Sequence, residues 1–285
     1  MTRRLDPERD AGLLCPTGRG TMERRLFGVV TGASRGIGAE YARALAAMGY
    51  DLLLVGRDKE RLNALSEELS THHSVSIYAE VMDLSEAGAA HRLYVAARRC
   101  RDRADVVVNN AGFGVFGSFV DVPLARIQQM LRLHVDTIVE SMRLFLPAML
   151  ERRGGAIVTV ASTAGFFPLP YMAEYAATKA FLISFSLALA EEVRSSGVRL
   201  QVCCPGSTET DFHRTAGFRP ANPLGRDTAA RVVRVSLRGL RTGRRLVTVG
   251  WRGRVLWWFS RWLPPAFVAR AAGRWLKRGL ASGGA

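Results

Sequence analysis

The sequence predicts an α/β protein built on a single doubly wound parallel sheet of about seven strands flanked by helices. Three observations predict it. Short apolar runs alternate with helical patterns from Leu26 to Val249, an order that calls for right-handed βαβ crossovers. Those runs are almost continuously apolar, as strands covered on both faces are. The first run leads into a glycine-rich turn, Thr31-Gly32-Ala33-Ser34-Arg35-Gly36-Ile37-Gly38, that opens a helix. With 285 residues the chain is long enough for one such domain with a generous core, and it shows neither an internal repeat nor a linker. The organisation expected is a disordered polar extension over 1–22, the sheet domain over 23–250 and a basic, Trp-rich helical extension over 251–285. Met22, just before the first strand, is a second candidate start of translation.

Each element has a local reason. Leu26 to Val30 reads as a buried strand, and Ala39 to Met48 is an Ala-rich stretch of good helix propensity. Gly32 turns the chain tightly between them, Gly36 leaves room for a phosphate beside the backbone, and Gly38 lets helix and strand pack closely. The free N–H groups at the helix start then face an anion. Asp51 to Val55 is a second strand, and Asp58 caps a helix running through Leu69. Val75 to Ala79 is the third strand; Asp83-Leu84-Ser85 follows, then a helix from about Glu86 to Arg99. Asp105 to Val108 is the fourth, ending in Asn109-Asn110-Ala111-Gly112. Pro123 opens a helical pattern expected to run to Glu151, with Pro147 tightening or kinking its last part. A strand from Gly155 to Val160, a helix from Ala173 to Ser196, a strand from Val198 to Cys203, a helix from Asp227 to Leu240 and a strand from Arg245 to Val249 complete the set. The motifs follow strands, so they fall at the carboxyl edge of the sheet, where such folds bind ligands.

The formal net charge is +15, nearly all of it from arginine, since Lys59, Lys179 and Lys277 are the only lysines. The basic residues are spread along the chain, which fits an arginine-biased composition; a surface that attracts anionic lipid, nucleic acid or phosphorylated ligands is the competing reading. Cys15, Cys100, Cys203 and Cys204 show no metal-ligand spacing, and the adjacent Cys203 and Cys204 are poor disulfide partners. A reduced cytoplasmic setting is therefore expected, with no metal. No stretch is long and apolar enough to span a membrane, and the N-terminus lacks the apolar core of a secretory signal.

Five motifs in order carry a resemblance: Thr31 to Gly38, Asn109 to Gly112, Ser162, Tyr175-Ala176-Ala177-Thr178-Lys179 and Pro205-Gly206. Together they make the chain, over roughly residues 25–250, similar to the short-chain dehydrogenase/reductase family, which has a Rossmann-type fold. Within it the chain resembles bacterial reductases with an extended C-terminus and apolar substrate pockets.

Tyr175 and Lys179 form the centre of the expected chemistry. At i and i+4 they share one helix face. An ammonium beside a phenol favours the phenolate, so Tyr175 exchanges a proton with a carbonyl or alcohol oxygen near neutral pH. The resemblance gives Lys179 a second role, a hydrogen bond to the nicotinamide ribose. Ser162 stands at the end of the fifth strand, thirteen residues before Tyr175, where its hydroxyl holds the substrate oxygen; Thr163 competes by position. The family normally adds an asparagine in the preceding long helix, supporting a water in a proton relay that begins at the lysine. Here His134 takes that place. An imidazole also donates to or accepts from water, and this one is expected either to maintain the relay with a pH dependence between roughly 6 and 7.5, or to be a core histidine with no catalytic part.

The cofactor expected is NADP(H). An NAD site usually has an acidic residue at the end of the second strand; Gly56 stands there, followed by Arg57, and Arg35 lies in the glycine-rich turn. Two guanidinium groups grip a 2′-phosphate, while Asp58 is the acidic rival, late in position and suited to an N-cap. By resemblance Ser34 and Ile37 complete the turn site, Asp83 and Leu84 contact the adenine, Asn110, Ala111 and Gly112 line the cleft, and Pro205, Gly206, Thr208 and Thr210 face the nicotinamide amide. Apolar residues surround this site: Phe113, Phe116, Phe166, Phe167, Leu169, Tyr171, Met172, Phe212 and Phe218. They suit a lipophilic carbonyl or alcohol.

All five tryptophans, Trp251, Trp257, Trp258, Trp262 and Trp275, fall in the tail among arginines, and Pro264-Pro265 splits it into two helical pieces. Such segments lie in a membrane interface, pack over a substrate pocket or cross a dimer. The function expected is hydride transfer between NADPH and a lipophilic ketone, aldehyde or secondary alcohol by a cytoplasmic homodimer or homotetramer. Surface contact with a membrane through 251–280 is one reading of the tail, packing over the substrate pocket or across a dimer the other, and nucleic-acid binding is not expected. The competing class is a non-catalytic dinucleotide sensor or membrane-surface scaffold on the same fold.

Overall fold

The computed structural model describes residues 25–209, 227–260 and 262–281. Seven strands form one sheet in the order β3-β2-β1-β4-β5-β6-β7, and every neighbouring pair is parallel. The strands are β1 (Phe27–Thr31), β2 (Asp51–Gly56), β3 (Ile77–Val81), β4 (Val106–Asn109), β5 (Gly155–Val160), β6 (Val198–Cys204) and β7 (Leu246–Thr248). Between them run α1 (Gly36–Ala47), α2 (Lys59–His72), α3 (Ala89–Cys100), α4 (Leu124–Leu131), α5 (Thr137–Glu151), α6 (Ala173–Glu192) and α7 (Ala229–Arg241). Beyond β7 come α8 (Gly250–Phe259) and α9 (Pro265–Ala281).

The alternation of side chains along each strand divides the core in two. Leu53, Val107, Ile157 and Leu200 pack beneath α3, α5 and α6 through Leu93, Phe145 and Leu182. Leu52, Leu54, Val108 and Val158 pack beneath α1, α2 and α7 through Leu45, Leu62 and Leu237. Both layers are apolar, as a doubly covered parallel sheet requires. The amino edge of the sheet is closed by buried carboxylates. Asp51 pairs with Arg101, and Asp105 accepts from the Phe27 amide at 2.9 Å with Arg103 3.3 Å away. The carboxyl edge is left for the site.

Several boundaries differ from the sequence-based expectation, each for a local reason. The third strand begins at Ile77 because the buried Asp51 carboxylate captures the Ser76 amide at 2.7 Å. The helix expected from Glu86 begins at Ala89, since Gly88 before it has φ 71°. The helix expected to reach Ser196 ends at Glu192, and Gly197, at φ 83°, passes so close to Arg153 that an added Cβ would lie 2.3 Å from its carbonyl oxygen. The largest difference lies in the long helix after Pro123. It is broken by one π-helical turn, Arg132–Asp136, between α4 and α5, while Pro147 sits within α5 without ending it. Residues 1–22, and Thr210, Phe212 and Phe218, fall outside the described residues.

Candidate active site

The first strand, the fourth strand and the glycine-rich turn are joined by one hydroxyl. Thr31 Oγ1 donates to the Val108 carbonyl at 3.1 Å and accepts from the amides of Asn110 and Ala111 at 2.9 and 3.1 Å. Asn110 Nδ2 returns a bond to the Thr31 carbonyl at 2.9 Å. The turn leaves no space for side chains here. A Cβ on Gly38 would lie 2.1 Å from the Gly32 carbonyl oxygen, and one on Gly32, itself at φ 65°, would lie 2.8 Å from Asn110 Nδ2. The turn and the β4 end thus form one wall of a cavity of about 630 Å3, lined also by Ser34, Arg35, Gly36, Ile37, Ala111 and Gly112.

Arg35, Gly56 and Arg57 all line this cavity. Each arginine stands by a carboxylate: Arg35 Nη2 is 3.4 Å from Asp58, and Arg57 Nη1 is 3.6 Å from Asp83. Asp58 caps α2 through the Arg61 amide at 3.2 Å, as expected of it. Burial pushes the Asp83 carboxyl up, but bonds from the Ser85 hydroxyl and amide (2.7 and 2.8 Å) and the Arg57 charge outweigh it and hold it below its usual value. Gly56 stands at the strand end, where an acidic residue usually accepts from the ribose 2′-hydroxyl, and Asp58 lines the cavity two residues on, paired with Arg35 and capping α2. The lining therefore fits a dinucleotide with an extra phosphate at that end. Leu84 lines the same end.

At the other end, Ser162 closes β5 and opens the 3-10 turn Thr163–Phe166. Its Oγ accepts from the Ala164 amide at 3.1 Å, which leaves the hydroxyl proton to donate elsewhere. It is hydrogen-bonded to Tyr175, which draws the phenol down, while burial pushes it up to about 12 and prevails. Lys179, one helical turn on, is buried and donates to the Val160 carbonyl at 3.0 Å; burial brings its ammonium down to about 8. Its Nζ lies 5.7 Å from the centre of the Tyr175 ring. Within the protein alone the Lys179 ammonium is held by the β5 carbonyl, and burial outweighs the other influences on both groups.

His134 is fully buried in the middle of the π-helical turn. Its Nε2 faces the Phe113 amide at 3.3 Å, and its Nδ1 is 3.0 Å from Thr178 Oγ1. The Thr178 hydroxyl donates to the Tyr175 carbonyl at 2.8 Å, so it accepts from Nδ1–H. An amide donor on one side and a hydroxyl acceptor on the other fix the neutral Nδ1–H tautomer. Burial and the nearby Lys179 charge push the imidazole pKa well below 6.5. The expected titration between roughly 6 and 7.5 is therefore corrected: a second proton would oppose the Phe113 amide and the lysine in a dry site.

Pro205, Gly206 and Thr208 complete the cavity floor, with Thr208 Oγ1 donating to the Gly206 carbonyl at 3.1 Å. The profile of the short chain dehydrogenase family matches residues 28–219. The chain belongs to the short-chain dehydrogenase family. It is 34% identical over 182 residues to the very-long-chain 3-oxoacyl-CoA reductase of Phaeosphaeria nodorum, covering 62% of this chain and 53% of that one; it spans about half the length of that relative. A short-chain dehydrogenase from Sphingobium yanoikuyae in complex with NADPH is similar at 31% identity and a TM-score of 0.74, over 78% of this chain and 87% of that one. The bulky-bulky ketone specific alcohol dehydrogenase from Comamonas testosteroni is similar at 27% identity and a TM-score of 0.71, over 83% and 92%.

Three features of this short-chain dehydrogenase site carry no mark in the sequence, and a fourth matches one of the three expectations for the tail, that it packs over a substrate pocket. Gly165, in the 3-10 turn, lies so close to α6 that a Cβ would be 2.6 Å from the Lys179 carbonyl carbon; it sets Ser162 against Tyr175. Thr178, inside the Tyr175–Lys179 motif, is the second: a hydroxyl three residues after a tyrosine on a helix stands beside its carbonyl. Met82 lines the cavity at the end of β3. The fourth is a roof: Leu256 from α8 and Ala272, Trp275 and Leu276 from α9 close over the cavity. Of the apolar residues expected around the site, Phe113, Phe167, Leu169 and Met172 line it, while Phe166 packs on Trp257 with ring centres 5.0 Å apart. Phe116 and Tyr171 are not among its lining.

Proposed function

We propose that this chain is an NADPH-dependent oxidoreductase that exchanges a hydride and a proton with a ketone, an aldehyde or a secondary alcohol. The observation that carries the proposal is the Ser162–Tyr175 hydrogen bond, with Lys179 one turn away, at the end of a cavity whose other end presents two guanidinium groups. The cofactor is NADP(H); NADPH or NADP fills several structures to which the chain is similar. Gly32, Ser34, Gly36, Ile37 and Gly38 hold its pyrophosphate at the start of α1, Arg35 and Arg57 its 2′-phosphate, and Asp83 and Leu84 its adenine. Asn110, Ala111, Gly112, Pro205, Gly206 and Thr208 border its nicotinamide half, with Thr210 in the segment beyond. When bound, the nicotinamide would supply or accept the hydride and, oxidised, would add positive charge to the site.

Tyr175 gives the proton to the substrate oxygen in reduction and takes it back in oxidation. Ser162 donates to the same oxygen while the Ala164 amide fixes its own. Lys179 holds the ribose and biases Tyr175 toward ionisation when the cofactor charge joins it. His134 keeps the carbonyl end of Tyr175 in place through Thr178. The cavity walls Phe113, Phe167, Leu169 and Met172, with the roof, suit a lipophilic substrate. The relatives named for very-long-chain 3-oxoacyl-CoA and for bulky ketones support that class. We place the protein in the cytoplasm at the inner face of a membrane. A homodimer or homotetramer is supported by exposed apolar side chains on α4 and α6, Leu131 on the one and Phe181, stacked on Phe185 at 5.5 Å, on the other.

Titration with NADPH and NADH tests the reading. NADPH binds more tightly, and Arg57→Asp removes the preference. Tighter binding of NADH would assign Asp58 to the ribose and overturn the two-arginine site. Binding of neither would leave the non-catalytic scaffold as the reading.

A further inference from the structure

Helices α8 and α9 have two faces with different surroundings. The inner face of α8 turns Gly253 and Trp257 toward the domain; a Cβ on Gly253 would lie 2.9 Å from Thr248 Cβ, and Trp257 packs on Phe166. The inner face of α9 buries Leu276 and sets Gly273 against Pro170. The outer face of α8 carries Trp251, Val255 and Trp258, and Trp262 follows its end, a spacing of i, i+4, i+7 and i+11 that keeps all four on one side. That side is exposed. Trp258 is 61% exposed, Trp262 71% and Phe267, at the start of α9, 61%. The rings of Trp258 and Trp262 lie together, 5.7 Å between centres.

A helix that is apolar on both faces is ordinarily buried on both. The charge around this face says what covers it. Arg254, Arg270, Arg274 and Lys277 are exposed beside it, and the sequence holds no acidic residue after Asp227. A second copy docking through the same face would bring arginine against arginine, because a two-fold contact is self-complementary. An anionic bilayer accepts both components: indole rings sit at the headgroup boundary, and guanidinium groups meet lipid phosphates. The position of the face adds a consequence. Leu256 and Trp275 line the catalytic cavity and are also 39% and 49% exposed, so they stand at its mouth.

We propose that the outer face of α8 and the start of α9 form a docking surface for an anionic phospholipid bilayer, and that docking sets the mouth of the cavity against the lipid. The docking stands on the helices alone. The entry of a lipophilic substrate from the bilayer rests on the function proposed above.

All five tryptophans lie in 251–275, so tryptophan emission of the full chain reports only this region. Flotation is run with vesicles of phosphatidylcholine alone and with about 30 mol% phosphatidylglycerol. The chain floats with the anionic vesicles, at least roughly tenfold more than with the neutral ones, and the gain falls as salt rises. The double variants Trp258→Ser/Trp262→Ser and Arg254→Glu/Arg270→Glu each lose about tenfold or more in partitioning while NADPH titration and circular dichroism stay as in the wild type. Lipids brominated on the acyl chain quench the tail emission, and Trp275→Phe lowers the amount quenched. Equal flotation with both vesicle types, or none, overturns the docking. A dimer lost in the Trp258→Ser/Trp262→Ser variant without vesicle binding overturns it too and assigns the face to a second copy. Quenching unchanged by Trp275→Phe overturns the placement of the mouth. Since no arm reads turnover, a chain that docks but reduces no ketone overturns only the enzymatic reading. One that binds NADPH and turns over but never floats overturns only the docking.

Discussion

His134 Nδ1 and Thr178 Oγ1 stand 3.0 Å apart, in a contact whose direction is set from both ends. The threonine proton goes to the Tyr175 carbonyl at 2.8 Å, and the Phe113 amide faces the other imidazole nitrogen at 3.3 Å. The π-helical turn is what lets a ring from the α4–α5 helix reach the third residue after a tyrosine on α6. A π turn inserts one residue, re-aims the side chains around it, and is found mostly at functional sites.

The neutral ring makes a prediction about pH. His134 has a folded pKa well below 6.5, so below that value the unfolded chain binds a proton that the native chain refuses. The stability that this neutrality contributes is complete above pH 6.5 and is lost as pH falls toward the folded pKa. The gap in unfolding free energy between wild type and His134→Asn shrinks or reverses on acidification, with a slope of up to about 1.4 kcal/mol per pH unit. Denaturant melts at about pH 7.5, 6 and 5 check this. A gap independent of pH would mean that the ring is charged in the native state. Turnover above pH 7 keeps the same pH profile in both proteins.

Much of the fold and site was legible because it depends on local chemistry. The glycine-rich turn needs Gly32 and Gly38 for contacts that any Cβ would break, so the residue types carry the geometry. Tyr175 and Lys179 share a face by helical period alone. What was not legible depends on groups distant in sequence. The π turn at His134 has no glycine or proline to mark it, and the ring's partners come from Phe113 and Thr178, 21 and 44 residues away. The lysine was expected to act on the phenol, but the Val160 carbonyl that holds it belongs to another element. The roof was half legible: a helix of tryptophans and arginines declares an interface, but only packing shows that Leu256, Ala272, Trp275 and Leu276 face the cavity.

Lys179 gives the opposite pH sign in an alkaline window. Burial lowers its folded pKa to about 8 from an ordinary 10.5. Between those values the unfolded chain holds a proton that the native chain has released, so the lysine's contribution makes stability rise with pH. Below pH 8 both states are charged and the cost of burying the ammonium is fully present. Cys203, Cys204 and Tyr175, all pushed up by burial, act in the other direction over part of this range. The isolating quantity is therefore the stability of wild type minus that of Lys179→Met. It increases from pH 8 to 10, by up to about 1.4 kcal/mol per pH unit. A difference that stays flat would place the ammonium in contact with solvent.

Gly165→Val tests whether the 3-10 turn sets the serine. A Cβ there would lie 2.6 and 2.7 Å from the α6 backbone at Lys179 and Ala180, so the turn must move away from the helix. Overpacking of this kind costs about 1–3 kcal/mol of stability. The displaced Ser162 no longer meets Tyr175, and a misplacement near 1 Å reduces turnover by roughly a hundredfold. Arg35 and Arg57 sit at the far end of the cavity, so NADPH affinity is retained. Loss of NADPH binding together with activity would mean that the turn supports the whole cavity instead of its catalytic end.

Tyr175→Phe separates proton transfer from everything else in the site. The substitution removes one hydroxyl and leaves the ring that packs edge-on to His134, 5.8 Å between centres. The backbone carbonyl that accepts from Thr178 is untouched, so the His134–Thr178 arrangement survives. Ser162 keeps the Ala164 amide on its oxygen and loses only the phenol as a partner. The variant therefore folds and binds NADPH as the wild type does. Turnover of a lipophilic ketone falls by at least about a hundredfold, the usual share of a general acid in such a step. Raising the pH does not restore it, because the hydroxyl that exchanged the proton with the substrate oxygen has been removed. Turnover near the wild-type rate would show that the proton comes from water through the open side of the cavity, and Ser162 would then be the group that positions the substrate alone.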